Sequence, residues 1–79
     1  MKEYLGSVSE VAADVDGMAL YVDLKAGDGT ATYLGWIGID PQIAQEGLAV
    51  GLAALRSSGQ VSIRMDETLR IAQAVRAIV

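Results

Sequence analysis

Ten carboxylates with no histidine and no cysteine bound the chemistry open to this 79-residue chain. Two pairs of acids lie close in sequence, Asp14 with Asp16 and Asp23 with Asp28, and paired carboxylates are what general acid and base roles require. Both pairs border glycine turns, Asp16-Gly17 and Gly27-Asp28-Gly29, where a solvated Asp bonds local backbone N–H groups. Asp14-Val15-Asp16-Gly17 lacks the remaining oxygen ligands of a calcium loop. Gly27–Gly29 lacks the lysine and the spacing of a phosphate-binding loop. Ser57 and Ser58 have no base near them in sequence and read as helix-end residues. Disulfides, ordinary zinc sites and thiol or imidazole catalysis all need Cys or His. The chain therefore reads as non-enzymatic, with no catalytic residue, cofactor or metal.

Binding chemistry is better represented. Tyr21, Tyr33 and Trp36 are candidate stacking surfaces for a sugar ring or a base, and Trp is equally at home in a subunit interface. For Trp36 an interface or rim, the core and a ligand contact all remain open. Tyr21 falls opposite the expected core face of its strand and is the more exposed candidate. Net charge is −4, which disfavours phosphate-backbone binding as the main task. Arg64, Arg70 and Arg76 are the cations on offer for single-stranded nucleic acid. Residues 1–40 carry seven acids against Lys2 and Lys25, whereas residues 41–79 carry three acids against four arginines. That asymmetry is either simple solvation or an acidic side that meets the Arg56, Arg64, Arg70 and Arg76 side of a neighbour.

The elements that must position these residues are mostly strands. Tyr4, Gly6 and Val8 alternate in one phase and Val11, Ala13 and Val15 in the other, a slip that predicts a bulge near Ser9 and Glu10. Asp16-Gly17 predicts a hairpin turn. Leu20, Val22 and Leu24 alternate with Tyr21, Asp23 and Lys25, the period of a strand with one buried face. A third strand is expected from Thr30 to Ile39, with Tyr33, Ile37 and Ile39 on one face and Leu34 and Trp36 on the other. Asp40-Pro41 predicts a helix start, and Ser58-Gly59 predicts its end, with Gly59 in the left-handed conformation. Val61, Ile63 and Met65 then form a fourth strand, closed by a turn at Asp66–Thr68. Leu69 to Val79 is ambiguous: Ile71, Val75 and Ile78 fit helical spacing with Asp66 as a cap, while Leu69, Ile71 and Val75 alternate less cleanly as a strand.

The helix from Pro41 to about Ser57 bears on assembly. At 100° per residue, Gln42, Gln45, Glu46, Arg56 and Ser57 share a polar sector. Leu48, Leu52 and Leu55 form a stripe suited to the protomer core. Ile43, Val50 and Ala54 form a second stripe, set apart by Ala44, Gly47 and Gly51. Two helical glycines cost about 1 kcal/mol each relative to alanine, so close packing must compensate, either with a neighbouring copy or within the subunit. We expect Ile43, Gly47, Val50, Gly51 and Ala54 to face another copy. Size argues the same way, since a chain this short buries only about 60% of its unfolded surface, yet 52% of its residues are apolar. No stretch approaches the run of about 18 apolar residues that a spanning helix needs. Met1–Tyr4 has no apolar signal region, which predicts a cytoplasmic location unless a leader has been removed.

The order strand, strand, strand, helix, strand, strand is that of a five-stranded OB-type barrel. Gly6–Val11, Asp16–Leu24, Trp36–Pro41, Leu48–Leu55, Ser58–Ile63 and Ile71–Val75 together resemble the B subunits of pentameric AB-type bacterial toxins and small bacterial proteins similar to them. The likeness spans most of the chain and rests on apolar spacing, a Leu- and Ala-rich helix and a Ser-Gly exit. It implies a mostly-β single domain over residues 1–79, forming a homo-oligomeric ring, commonly a pentamer, with helices around the axis and barrels outside. It also makes the last segment a strand. Many such subunits carry a cysteine pair, and this chain has none. The resulting expectation is a homopentameric binding module for a glycan or small polar ligand. Its partners would be copies of itself and a glycan or a second protein chain. A purely structural ring is the alternative, and single-stranded nucleic-acid binding ranks behind both.

Overall fold

Alternating apolar residues set the strands, and glycine or Asx turns separate them. The computed structural model describes residues 2–15 and 17–78. Its elements are β1 (Lys2–Asp14), β2 (Gly17–Ala26), β3 (Thr32–Ile39), a 3-10 turn (Pro41–Ile43), α1 (Ala44–Ser57), β4 (Gln60–Asp66) and β5 (Ile71–Ile78). The strands close into a barrel in the order β1-β2-β3-β5-β4. Every pairing is antiparallel except β3 with β5, which is parallel and consists of Gly38 opposite Ile71 and Ile39 opposite Ala72. Tyr4, Val8, Leu20, Val22, Leu24, Ile37, Ile39, Val61, Ile63, Met65 and Ala72 fill the interior.

The register of β1 against β2 slips between Val8 and Glu10, where the apolar phase changes. Beyond the slip the expected inward set thins out. Val11 packs against the core, but Ala13 and Val15 are exposed, because the β1–β2 hairpin runs on past the barrel. Asp14 pairs with Gly17, so Gly17 opens β2, at φ +135°. Of the expected Asp16-Gly17 turn, Asp16 lies outside the described residues.

Residues 71–78 form a strand despite their helical spacing. The reason is tertiary: β4 offers Ile63 opposite Val75 and Val61 opposite Ala77, and a bulge opposite Arg64 and Met65 absorbs Gln73, the residue that interrupts the alternation. Asp66 caps a turn instead of a helix, its Oδ1 accepting the Thr68 and Leu69 N–H groups at 3.0 and 3.2 Å.

Asp40 opens the helical segment by accepting the Gln42 N–H at 2.9 Å, and the first turn is 3-10 before the α-helix begins. At the other end Ser58, not Gly59, takes the left-handed conformation (φ 54°), while the Gly59 N–H bonds the Ala54 carbonyl at 2.9 Å. Because α1 touches all five strands, β1 most of all, it must lie across one end of the barrel.

The face that α1 turns to the barrel differs from the expected one. Gly47, Gly51 and Ala54 are its buried residues; Leu48 is partly buried and packs on the core as expected, whereas Leu52 and Leu55 are partly buried on its flank. A Cβ on Gly51 would stand 2.6 Å from Leu20 Cδ2, and one on Gly47 2.9 Å from Ile39 Cγ2. Core side chains already fill the barrel mouth, so the helix approaches only by the face that lacks side chains. Gly47, Gly51 and Ala54 are thus taken up inside their own protomer instead of facing another copy. Ile43 and Val50 are partly buried and pack on the same core.

Tyr4 sits in the interior at 3% exposure. Burial first, then its hydrogen bond and charge interaction with Glu67 and the charge of Asp28, raise its phenol above the usual 10.0. A raised folded pKa means that the neutral phenol is favoured in the fold, so this stability is full below about pH 10 and is lost as pH climbs from there through the folded value. Thermal melts between pH 8 and 11 should show a steeper alkaline loss for the wild type than for Tyr4→Phe, and equal slopes would refute this account.

Candidate binding face

Strand alternation places Tyr21 and Trp36 on the outer surface, directly opposite one another on β2 and β3. Their rings meet edge to face, with centroids 5.3 Å apart and planes at 85°, an arrangement that aromatic quadrupoles favour. Trp36 keeps 43% of its surface exposed. Glu10 of β1 lies across from Tyr21. In the next outward row Asp23 sits between Ser7 of β1 and Leu34 of β3. Leu34 is 68% exposed. The face is therefore an aromatic pair and a leucine rimmed by two exposed carboxylates.

Tyr33 is not part of this face. Its side chain goes to the opposite side of β3, where the hydroxyl donates to the Trp36 carbonyl at 2.8 Å and Arg70 lies 5.6 Å from the ring centroid. The ring passes over Gly35, which has φ +149°, a conformation that favours glycine. Tyr33 thus fixes the backbone that carries Trp36. Sequence reasoning brought Tyr21 and Trp36 to notice and put Asp23 and Leu34 in phase with them along their strands, but it did not join the two strands into one face and passed over Glu10. Their shared outward phase across three strands was the available signal, and it needed the β1 bulge to bring Glu10 into line.

The acidic pairs form no comparable site. Asp28 Oδ1 accepts from the Thr30 N–H at 3.0 Å and from its hydroxyl at 2.6 Å, which is a turn role. Asp23 lies out on the strand face, and the Asp14–Asp16 pair includes a residue outside the described ones. Among the described residues no group of three Asp, Glu, His or Cys could hold a metal. Arg64 and Arg76 project from β4 and β5, away from the aromatic pair: Arg64 stands opposite Glu3, and Arg76 opposite Ser62. A hollow of about 380 Å³ at the helix entry is lined by Met18, Ile39, Pro41, Ala44 and Ile71 with Gly17 and Gly38. Among the described residues it offers no charged side chain to orient a ligand.

Chemically, the outer face can stack the C–H surface of a sugar on Trp36 and accept hydroxyl hydrogen bonds at Asp23 and Glu10. The same carboxylates repel phosphate. Fold and face together define a mostly-β domain with one helix, a closed five-stranded barrel and an outward aromatic pair of which Trp36 is exposed. Comparison with protein-family models, curated proteins and solved structures finds no match for this chain. Among the described residues, no helix is long and apolar enough to cross a membrane.

Proposed function

We propose that this protein is an OB-type, non-enzymatic binding module that assembles with copies of itself into a ring, and that it takes a glycan or another small polar ligand on its β2–β3 face. The strand order, the helix between β3 and β4 and the long bulged first strand support the OB reading, and in that architecture the face of strands 2 and 3 is a common ligand platform. The observation that carries the ligand assignment is the outward Tyr21–Trp36 pair on that face, with Trp36 exposed and Tyr21 half-buried against it. Assembly is supported by apolar surface left uncovered in one protomer, including Leu5, Leu34, Trp36, Leu69 and Ile78, each at least 40% exposed. The toxin-subunit resemblance favours five copies.

A glycan array read with wild type, Tyr21→Ala and Trp36→Ala tests this. Each truncation should weaken binding about 10-fold or more, the scale of one lost stacking contact of about 1–3 kcal/mol, and Tyr21→Ala should do so with the native mass unchanged. A silent array beside an intact ring favours the second reading, a structural ring, which the exposed edge residues Leu34 and Trp36 also support. Nucleic-acid binding ranks behind both, because Glu10 and Asp23 flank the aromatic pair while Arg64 and Arg76 lie elsewhere.

A further inference from the structure

The charge around the Tyr21–Trp36 pair narrows what that face can bind. The two ring planes stand at 85° with centroids 5.3 Å apart, so they form a right-angled corner on the outer surface, open at the exposed Trp36. Aromatic faces carry negative quadrupole density and attract a cation seated within about 6 Å of the ring centroid. A positive group in this corner is near both rings at once.

Both carboxylates of the face flank the same ring. Glu10 stands directly opposite Tyr21 on β1, and Asp23 follows Tyr21 on β2 by about 7 Å in the same outward phase. Both are exposed, and neither carboxylate is engaged by a hydrogen bond or an ion pair among the described residues. The cation in phase with them on β2 is Lys25, which pairs with Leu5 and Thr32 at the far end of the face, about 13 Å along the strand from Tyr21. Arg70 lies over Tyr33 on the other side of β3. A neutral hydroxyl would be served equally well by Asn or Gln at positions 10 and 23. Two carboxylates beside one aromatic pair instead repel each other, and a positive ligand removes that repulsion while gaining the contact with the rings.

We infer that the ligand of this face is a glycan bearing a free ammonium group, an amino sugar that is not N-acetylated. The ammonium sits in the Tyr21–Trp36 corner and donates charge-assisted hydrogen bonds to Glu10 and Asp23, while the C–H surface of the sugar ring stacks on Trp36. Leu34, opposite Asp23 on β3 and 68% exposed, gives apolar surface to an adjoining sugar. N-acetylation removes the charge on which both carboxylates act, and an acidic sugar is repelled by them. This rests on the glycan reading above and specifies the charge of the ligand.

Trp36 is the single tryptophan, so its emission reports the corner directly. The full chain is titrated with a glucosamine trisaccharide, with its N-acetylated counterpart, and with the lysine tripeptide, which matches the charge without the sugar. The glucosamine trisaccharide should change the Trp36 emission and bind about 10-fold or more tightly than either of the others. Glu10→Gln and Asp23→Asn should each weaken it about 5-fold with the circular dichroism unchanged. Glu46→Gln, an exposed position on α1, makes the same change in net charge and should leave the affinity unaltered. Equal or tighter binding of the N-acetylated sugar overturns the inference and leaves the glycan reading standing. Equal binding of the tripeptide, or an equal loss with Glu46→Gln, shows general attraction to an acidic protein and overturns it too. If neither trisaccharide binds, the inference fails, and the glycan array above decides the wider reading separately.

Discussion

Gly6→Ala should be the most damaging single-atom change in the protein. The Cβ it adds would run into the Asp23 carbonyl oxygen, with the Asp23 carbonyl carbon and Leu24 Cα each 2.9 Å away. All three are backbone atoms of β2, held in register with β1 by the Ser7–Asp23 and Gly6–Leu24 pairs, so no side chain can rotate aside. Relief requires β1 and β2 to separate where β1 also pairs with β4 through Val61. We expect a loss of about 4 kcal/mol or more, the range of severe backbone and overpacking changes. A 79-residue domain holds only about 4–12 kcal/mol in total. The melting temperature should fall by about 15 °C or more, or the variant should fail to fold. A melting point within about 3 °C of wild type would show that the two strands do not approach as described.

Gly51→Leu should come next, and its contrast with Gly51→Ala reports which face of α1 meets the barrel. The alanine methyl would press on Leu20 Cδ2 at 2.6 Å, the far end of a flexible side chain, while helix propensity returns about 1 kcal/mol. The two effects roughly cancel, and urea melts should place Gly51→Ala within about 1 kcal/mol of wild type. Leucine has no such escape, because Leu20 is fully buried and the helix would have to lift off the barrel mouth. A loss of about 3 kcal/mol or more is expected. Leu52→Ser, on the partly exposed flank, should cost the isolated protomer far less. If Leu52→Ser proved the more damaging of the two, the helix would have to be rotated so that its leucines faced the core.

Much of the barrel was legible because strand period is a local property. Leu20, Val22 and Leu24 announce one buried face of β2, and the change of phase at Ser9 and Glu10 announces the bulge. Asp40-Pro41 announces the helix start, whose cap depends on nothing distant. The pairing of Tyr21 with Trp36 was half legible: both residues stand out by type, but that they are neighbours depends on the β2–β3 register.

Other features had no local signature. Residues 71–78 have helical spacing and become a strand because β4 supplies a ladder and a bulge takes up Gln73. The rotation of α1 misleads any reading by hydrophobicity, since the largest apolar stripe is the obvious core face. The barrel mouth is already filled by Leu20 and Ile39, so the small-residue face goes inward, Leu48 stays at its margin against the core, and Leu52 and Leu55 go to the flank. Helical periodicity says which residues share a side, but not how much room the opposite wall leaves.

By itself, then, the sequence determined the type of each strand before residue 69 and of the helix, the inward residues of β2 and β4 and the aromatic candidates, because each follows from residue chemistry and short-range period. Tertiary structure alone decided the fate of the last segment, the face on which α1 rests and the early end of the β3–β5 ladder that leaves Leu34 and Trp36 on an open edge. Those three depend on volumes and backbone hydrogen bonds shared between segments far apart in the chain, which no window of neighbouring residues contains.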